Sequence, residues 1–388
     1  MKKPKILAFV NNYIPSYRSG GPVRSVSNIS SLVKNDIDIS VVCYDRDAGD
    51  NKPFPGISSG EWNLGPNGQD ILYLPASFFK WLRLLIVNID KEQYDGIYLN
   101  TFFGIRYSLI PIMLYLLGIL KVESVILAPR GEFMPGALGI SKFKKMIYIY
   151  LFRGCGLSRS ITFQCTSHDE VTSLKKFFPH AKQVLVENIP GYHLADFSRE
   201  RDSFSDTIRL AYISRVTRKK NIAFLIEILK SYHGERHIIL DIYGPANGKD
   251  KIYLEECMSV SKDSSNLKVS YKGPIVHECV QNCLKKYDFF VLPTLGENFG
   301  HAIADAILAG VPVIVSKFTA FKDVEEFKVG HIIDINSAEA TRAKLVGVFG
   351  AYDYTNYDEN SFREYAHYKF KVARLRSSYT NLFAGLDY

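Results

Sequence analysis

The chain has 388 residues, of which 47% are hydrophobic and 23% charged, a composition that excludes a disordered or fibrous protein and suffices for two domains with separate cores. Its net charge of +8 is uneven: residues 1–190 hold 22 Lys and Arg against 15 Asp and Glu, and residues 191–388 hold 26 against 25. The basic half predicts an anionic surface or acceptor on that side, but no basic run interleaved with stacking aromatics marks a nucleic-acid site.

The N-terminus, Met1-Lys-Lys-Pro-Lys-Ile-Leu, enters a strand over Lys5–Asn11 without a leader-like apolar stretch, so cytoplasm is the expected location. Tyr13 to Arg24 follows, with Gly20-Gly21 permitting positive φ and close backbone approach, and Pro22 suited to a first helical turn. A second strand, Ile39–Tyr44, leads into a polar excursion from Asp45 to Asn67. Ser77–Ile89 and Ser141–Arg153 mix bulky apolar residues with cations, and read equally as core helices with a basic face or as helices lying on a membrane. The cations are Lys80, Arg83, Lys142, Lys144 and Lys145. Gly96–Asn100 and Ser124–Ala128 read as buried strands. The apolar run 107–120 between them falls short of the ~20 residues that span a bilayer, and predicts a buried helix.

Gln183–Asn188 is the last strand of the first half, and Ile189–Asp206 reads as a linker. Strands over Ile208–Ser214, His237–Tyr243, Leu267–Tyr271 and Phe289–Leu292 alternate with helical patterns, and Phe362–Phe383 reads as helical. The alternation predicts doubly wound α/β layers in both halves. Six scattered cysteines are expected to be reduced core thiols, since Cys279 and Cys283 find no second pair for zinc.

Pro293-Thr-Leu-Gly-Glu297-Asn298-Phe299-Gly300-His301-Ala-Ile-Ala-Asp305 is the most specific segment. It runs from strand through Gly-containing loop into helix, and a second strand, Val311–Val315, follows Gly310. Such a crossover places the loop at the carboxyl edge of a parallel sheet, where helix-start N–H groups collect anions. Glu297 and Asp305 bracket the turn and suit a nucleotide-sugar ligand. Earlier, Arg215-Val-Thr-Arg-Lys-Lys220-Asn leaves a strand and enters a helix, pairing a guanidinium fork with a flexible ammonium in a manner suited to a diphosphate.

These segments resemble the retaining glycosyltransferases with two Rossmann-like domains, family 4 of the GT-B type. That family has E-x7-E where this chain has Glu297 and Asp305, and G-R-x4-K-G/N where it has Arg215, Lys220 and Asn221. Ala128-Pro129-Arg130-Gly131-Glu132 resembles the S-P-R-G element of a subgroup working on bacterial surface polysaccharides. Tyr243-Gly244-Pro245 and Tyr271-Lys-Gly273-Pro274 are smaller echoes. The resemblance implies an acceptor domain over 1–190, a donor domain over 191–365 facing it across a crevice, and a last helix, about 366–388, packing back on the first domain. It implies transfer of a hexose from a nucleotide-diphosphate sugar, uridine favoured over guanosine, to a hydroxyl of a lipid-linked saccharide in O-antigen or capsule assembly.

Under that resemblance Arg215, Lys220, Glu297 and Arg130 are catalytic. Gly20, Gly21, Gly244, Asn298, Phe299, Gly300 and Asp305 join Arg215, Lys220 and Glu297 around the donor, and Arg24, Arg130 and Glu132 meet the acceptor. No cofactor and no metal are expected. The D-x-D matches Asp36/Asp38 and Asp45/Asp47 lie far in sequence from the Gly-rich loops, and cations aimed at the leaving diphosphate suffice to stabilise it. Peripheral contact with the anionic inner membrane is the expected partner beyond donor and acceptor. Two rivals stand beside this reading: a nucleotide-sugar epimerase on a similar fold, and a non-catalytic sugar- or membrane-binding protein.

Overall fold

A computed structural model describes residues 3–89, 92–139, 141–191, 206–261 and 265–385. The chain forms two compact units, Met1–Ile189 with Val372–Tyr388, and Pro190–Lys371. The doubly wound α/β architecture expected from the strand–helix alternation is present in both. The linker read over 189–206 falls mostly outside the described residues.

In the first unit the strands are β1 (Lys5–Phe9), β2 (Asp38–Tyr44), β3 (Trp62–Leu64), β4 (Asp70–Leu74), β5 (Gly96–Leu99), β6 (Ser124–Leu127), β7 (Thr162–Cys165) and β8 (Lys182–Leu185). They form one sheet in the order β3-β4-β2-β1-β5-β6-β7-β8, parallel except for the β3–β4 pair. Central strands carry apolar residues on both faces, as a sheet covered on both sides requires: β5 is buried throughout. The strand order reverses direction between β1 and β5, so the loops after these two strands open a crevice at the carboxyl edge.

In the second unit β9 (Thr207–Ile213), β10 (His237–Tyr243), β11 (Leu267–Gly273), β12 (Phe289–Leu292), β13 (Val313–Ser316) and β14 (Gly330–Ile333) are all parallel, in the order β11-β10-β9-β12-β13-β14. Here the reversal falls between β9 and β12. The loops after those two strands carry Arg215 and Glu297 respectively.

Three expectations change. The helix read over Phe362–Phe383 is two helices, Glu359–Phe370 and Val372–Phe383, broken at Lys371, whose φ of 39° is left-handed. The break divides the apolar stripe. Phe362, Tyr365 and Phe370 are buried in the second unit, while Leu375, Tyr379, Leu382 and Phe383 join the first unit's core beside Tyr98. The chain therefore returns to the first unit at Val372, not near 366. The run 107–120 is not a fully buried helix. A π-turn, Ile105–Leu109, in which Leu109 N–H reaches back to Gly104 O, precedes a short helix, Ile110–Leu116, where Pro111 brings no N–H. Met113, Leu116, Leu117 and Ile119 are left exposed. Finally, Cys155 and Cys279 are exposed rather than core thiols, whereas Cys43, Cys165 and Cys257 are buried.

Candidate active site

The second unit brings Arg215, Lys220, Glu297 and the 298–300 loop together at the point where its strand order reverses. Leaving β9, the chain passes Arg215, makes a 3-10 turn over Arg218–Lys220, and enters helix Ile222–Lys230 through Asn221 at φ 60°. Asn tolerates that left-handed geometry better than most residues. The turn sinks Lys220 to 9% exposure and directs its Nζ onto Glu297 Oε2. A buried ammonium needs such a partner, because an unpaired charge out of water is costly. One backbone contact fixes the two loops against each other, Leu295 N–H donating to Lys219 O at 2.9 Å, and a second ties the Glu297 loop to the one after β13, Glu297 N–H donating to Phe318 O at 3.0 Å.

Two glycines are required by geometry. At Gly244, φ is 142° and a Cβ would stand 1.8 Å from Ser214 O, so only glycine lets the ends of β9 and β10 approach this closely. Tyr271 Oη donates to Gly244 O at 2.8 Å and ties in the end of β11. Gly300 caps helix His301–Leu308 at φ 89°, where a Cβ would press on Ile303, Glu297 and Phe321. Phe299 packs edge-on against His301, with ring centroids 4.8 Å apart. Asp305 lies on that helix and is buried at 1%.

Sequence reasoning missed Lys219. Its stem packs near Gly296, with Cε 3.7 Å from where a Cβ there would stand, and desolvation lowers its pKa against the opposing pull of Glu297. Lys220 and Arg215 add further downward pressure, so three cations share one neighbourhood. The run Arg218-Lys219-Lys220 was the available signal, but spacing alone does not say which of three neighbours turns inward.

In the first unit the predicted residues occupy different roles. Gly20, at φ 72°, caps helix Gly21–Val33, on which Arg24 sits half-buried. Arg130 adopts φ 55°, and its guanidinium donates to Tyr98 Oη at 2.6 Å, to Asn100 Oδ1 at 2.8 Å and to Asn188 Oδ1. These partners are all neutral and hold the group rigidly where β5, β6 and β8 end. Glu132, expected at the acceptor, also has partners within the loop after β5. Its carboxylate accepts from Thr101 Oγ1 at 2.7 Å and from the N–H groups of Phe102 and Phe103, so it fixes the loop after β5. Burial raises its pKa, and those bonds oppose the rise.

Two further carboxylates do similar structural work. Glu170, fully buried, accepts from Gly131 N–H at 2.5 Å and from Thr166 N–H and Oγ1, both at 2.7 Å. Ser167-x-x-Glu170 is a capping-box pattern, yet the Glu reaches past its own cap to hold the Arg130–Gly131 turn. Asp47, one of the D-x-D acids, accepts from Ser16 Oγ at 2.6 Å and from Tyr17 N–H at 3.1 Å, anchoring the approach to Gly20. Asp45 pairs with Arg46 at 2.7 Å, and Asp36 pairs with Arg376 at 2.8 Å. A groove of about 670 Å³ runs beside edge strand β14, lined by Glu325, His331, Lys344 and Tyr357 among others, and includes none of the motif residues.

Residues 207–349 match the family model for Glycosyl transferases group 1. Over 374 residues the chain is 20% identical to an uncharacterized 41.2 kDa protein in the cps region of Klebsiella pneumoniae, covering 94% of this chain and 96% of the other. It is 22% identical to an uncharacterized glycosyltransferase, MJ1607, of Methanocaldococcus jannaschii, covering 84% of each. Among solved structures, Anabaena Alr3699/HepE in complex with UDP and glucose superimposes with a TM-score of 0.72 at 14% identity, covering 99% of this chain and 100% of that one. The chain thus has the GT-B fold, and residues 207–349 of its second unit are similar to the Glycosyl transferases group 1 model.

Proposed function

We propose that the protein is a retaining glycosyltransferase that moves a hexosyl unit from a nucleotide-diphosphate sugar to a hydroxyl acceptor, without a metal ion. The observation that carries this is the Lys220–Glu297 pair beside Arg215 at the β9/β12 reversal. As the glycosidic bond to the donor breaks, negative charge grows on the departing diphosphate. Cations fixed beforehand at that place stabilise the transition state more than the ground state. Glu297 holds the ammonium in position until the phosphate competes for it, and its carboxylate then faces the sugar. In this reading Glu297 stabilises charge on the sugar and does not attack it: the acceptor oxygen bonds to the anomeric carbon as the bond to the diphosphate oxygen breaks, the leaving phosphate takes the acceptor's proton on the same face, and configuration is kept.

A uridine donor is favoured by the UDP and glucose held by the Anabaena protein. The cps-region relative supports a role in surface-polysaccharide assembly with a lipid-linked acceptor. Two helices of the first unit support a cytoplasmic protein with peripheral contact at an anionic membrane. Phe79 is 82% exposed beside Lys80 and Arg83, and Phe143, at 79%, stands between Lys142 and Lys144. Lys145 is turned away from this role, since its Nζ donates to Ala137 O at 2.6 Å. No helix among the described residues is long and apolar enough to cross a membrane. Incubation with a panel of nucleotide sugars and saccharide acceptors, reading release of nucleoside diphosphate in excess EDTA, tests the proposal. Turnover of one donor supports it; release that strictly requires Mn²⁺ or Mg²⁺, or none with any donor, counts against it.

A further inference from the structure

Three consecutive cations, Arg218, Lys219 and Lys220, occupy the 3-10 turn that leads into helix Ile222–Lys230. Such a turn closes in three residues, so successive side chains leave it about 120° apart. Each of the three has a different address. Arg218 turns outward, donating to Glu256 Oε2 at 2.7 Å and lying over the Tyr253 ring. Lys220 turns inward onto Glu297. Lys219 lies between them. Its stem passes Gly296, and its carbonyl accepts from Leu295 N–H at 2.9 Å and from Thr294 Oγ1 at 3.3 Å. The backbone that carries Lys219 is therefore fixed to the loop that bears Glu297, while the residue itself is exposed. Among the described residues its ammonium makes no hydrogen bond or ion pair. Glu297 attracts it but is already bonded to Lys220, and Lys220 and Arg215 repel it. Three cations thus stand against one carboxylate, and Lys219 is the one that reaches this loop without a partner.

We propose that Lys219 is a further donor-binding residue and that the turn divides its labour: Lys219 captures the diphosphate in the ground state, whereas Lys220 acts as charge grows on it. This rests on the nucleotide-sugar reading. Lys220 is already satisfied by Glu297, so a phosphate that reaches it must share the ammonium. Lys219 has no such partner to give up, and its attraction is complete at first contact. Because Lys219 is exposed, water screens it, and the extra charge of the transition state adds little to that attraction. Lys220 is buried, where the effective dielectric is lower and the same extra charge is felt more strongly. An interaction equal in both states shows in KM, and one that strengthens in the transition state shows in kcat.

The test is calorimetric titration with uridine and guanosine diphosphates, followed by steady-state rates with the nucleotide sugar that the protein turns over. Lys219→Ala should bind the preferred diphosphate about tenfold more weakly, the scale of one lost charge-assisted hydrogen bond. Its KM for the donor should rise by a similar factor, with kcat within about twofold of wild type. Lys219→Met keeps the stem and loses the charge, so it should be as weak as Lys219→Ala, and Lys219→Arg should recover most of the affinity. A lysine that only packs against the loop would give the reverse order. Arg218→Ala removes the same charge one residue earlier and should change affinity by no more than about twofold, because that charge is screened and faces Glu256. Lys220→Ala should instead lower kcat by ~10²-fold. Wild-type affinity in Lys219→Met, an equal loss in Arg218→Ala, or a fall in kcat rather than a rise in KM for Lys219→Ala overturns this inference and leaves the donor site standing. If wild type binds neither diphosphate, the donor-site reading falls and this inference falls with it.

Discussion

The two units share a doubly wound topology, yet their carboxyl edges treat charge in opposite ways. In the first, carboxylates turn inward: Asp47, Glu132 and Glu170 each accept several hydrogen bonds from loop N–H and hydroxyl groups, and the Arg130 guanidinium is held by neutral side chains. In the second, Lys220 and Glu297 meet from opposite loops, with Lys219 and Arg215 close by. One edge spends its acids on holding a shape, and the other keeps opposed charges that an anion can separate. A shared fold therefore does not imply a shared task; the loop chemistry after β1 and β5, or after β9 and β12, decides it.

The largest effect should come from the second unit's pair. Lys220→Ala is expected to lower turnover by ~10²-fold or more, the scale on which a preorganised charge stabiliser acts. It also leaves Glu297 without its ammonium, so Lys220→Ala/Glu297→Gln should fold more stably than Lys220→Ala alone in thermal melts. The first unit should answer differently. Glu170→Ala removes the acceptor of three bonds at a buried position and should cost about 3 kcal/mol or more of stability, read as a lowered denaturant midpoint. It should leave nucleotide binding by the second unit nearly unchanged. If nucleotide affinity collapses with Glu170→Ala, the division of labour between the units is wrong.

Smaller effects sharpen the contrast further. Phe143→Asp with Lys142→Glu should weaken co-sedimentation with anionic vesicles, with about 1 kcal/mol per cation at the surface fading as salt rises. Binding indifferent to anionic lipid and to salt would remove the membrane from the account. The smallest expected effect is none: excess EDTA should leave turnover unchanged, because Asp45 and Asp47 already serve Arg46 and the Ser16–Tyr17 turn.

Much of this was legible beforehand. Buried parallel strands such as Phe289–Leu292 announce themselves as short apolar runs, and Gly300 before His301 announces a helix start. The Arg215, Lys220 and Glu297 segments could be read because each follows such a strand. What escaped reading depends on tertiary contacts. Nothing local marks Lys371 as a break, since the apolar stripe of 362–383 continues through it; only its division between two cores reveals the turn. The bonds from Glu132 to the loop 101–103 join residues about thirty apart and leave no local mark in the sequence.

The central claim is that Lys220 and Arg215 hold a diphosphate at the β9/β12 reversal. Titration of wild type, Lys220→Ala and Arg215→Ala with uridine and guanosine diphosphates addresses it most directly. Wild type should bind at least one of them, and each variant should bind it at least tenfold more weakly while melting within a few degrees of wild type, because a charge-assisted hydrogen bond is worth about 1.5–3 kcal/mol. Equal affinity in all three proteins, or no binding by wild type, would contradict the account.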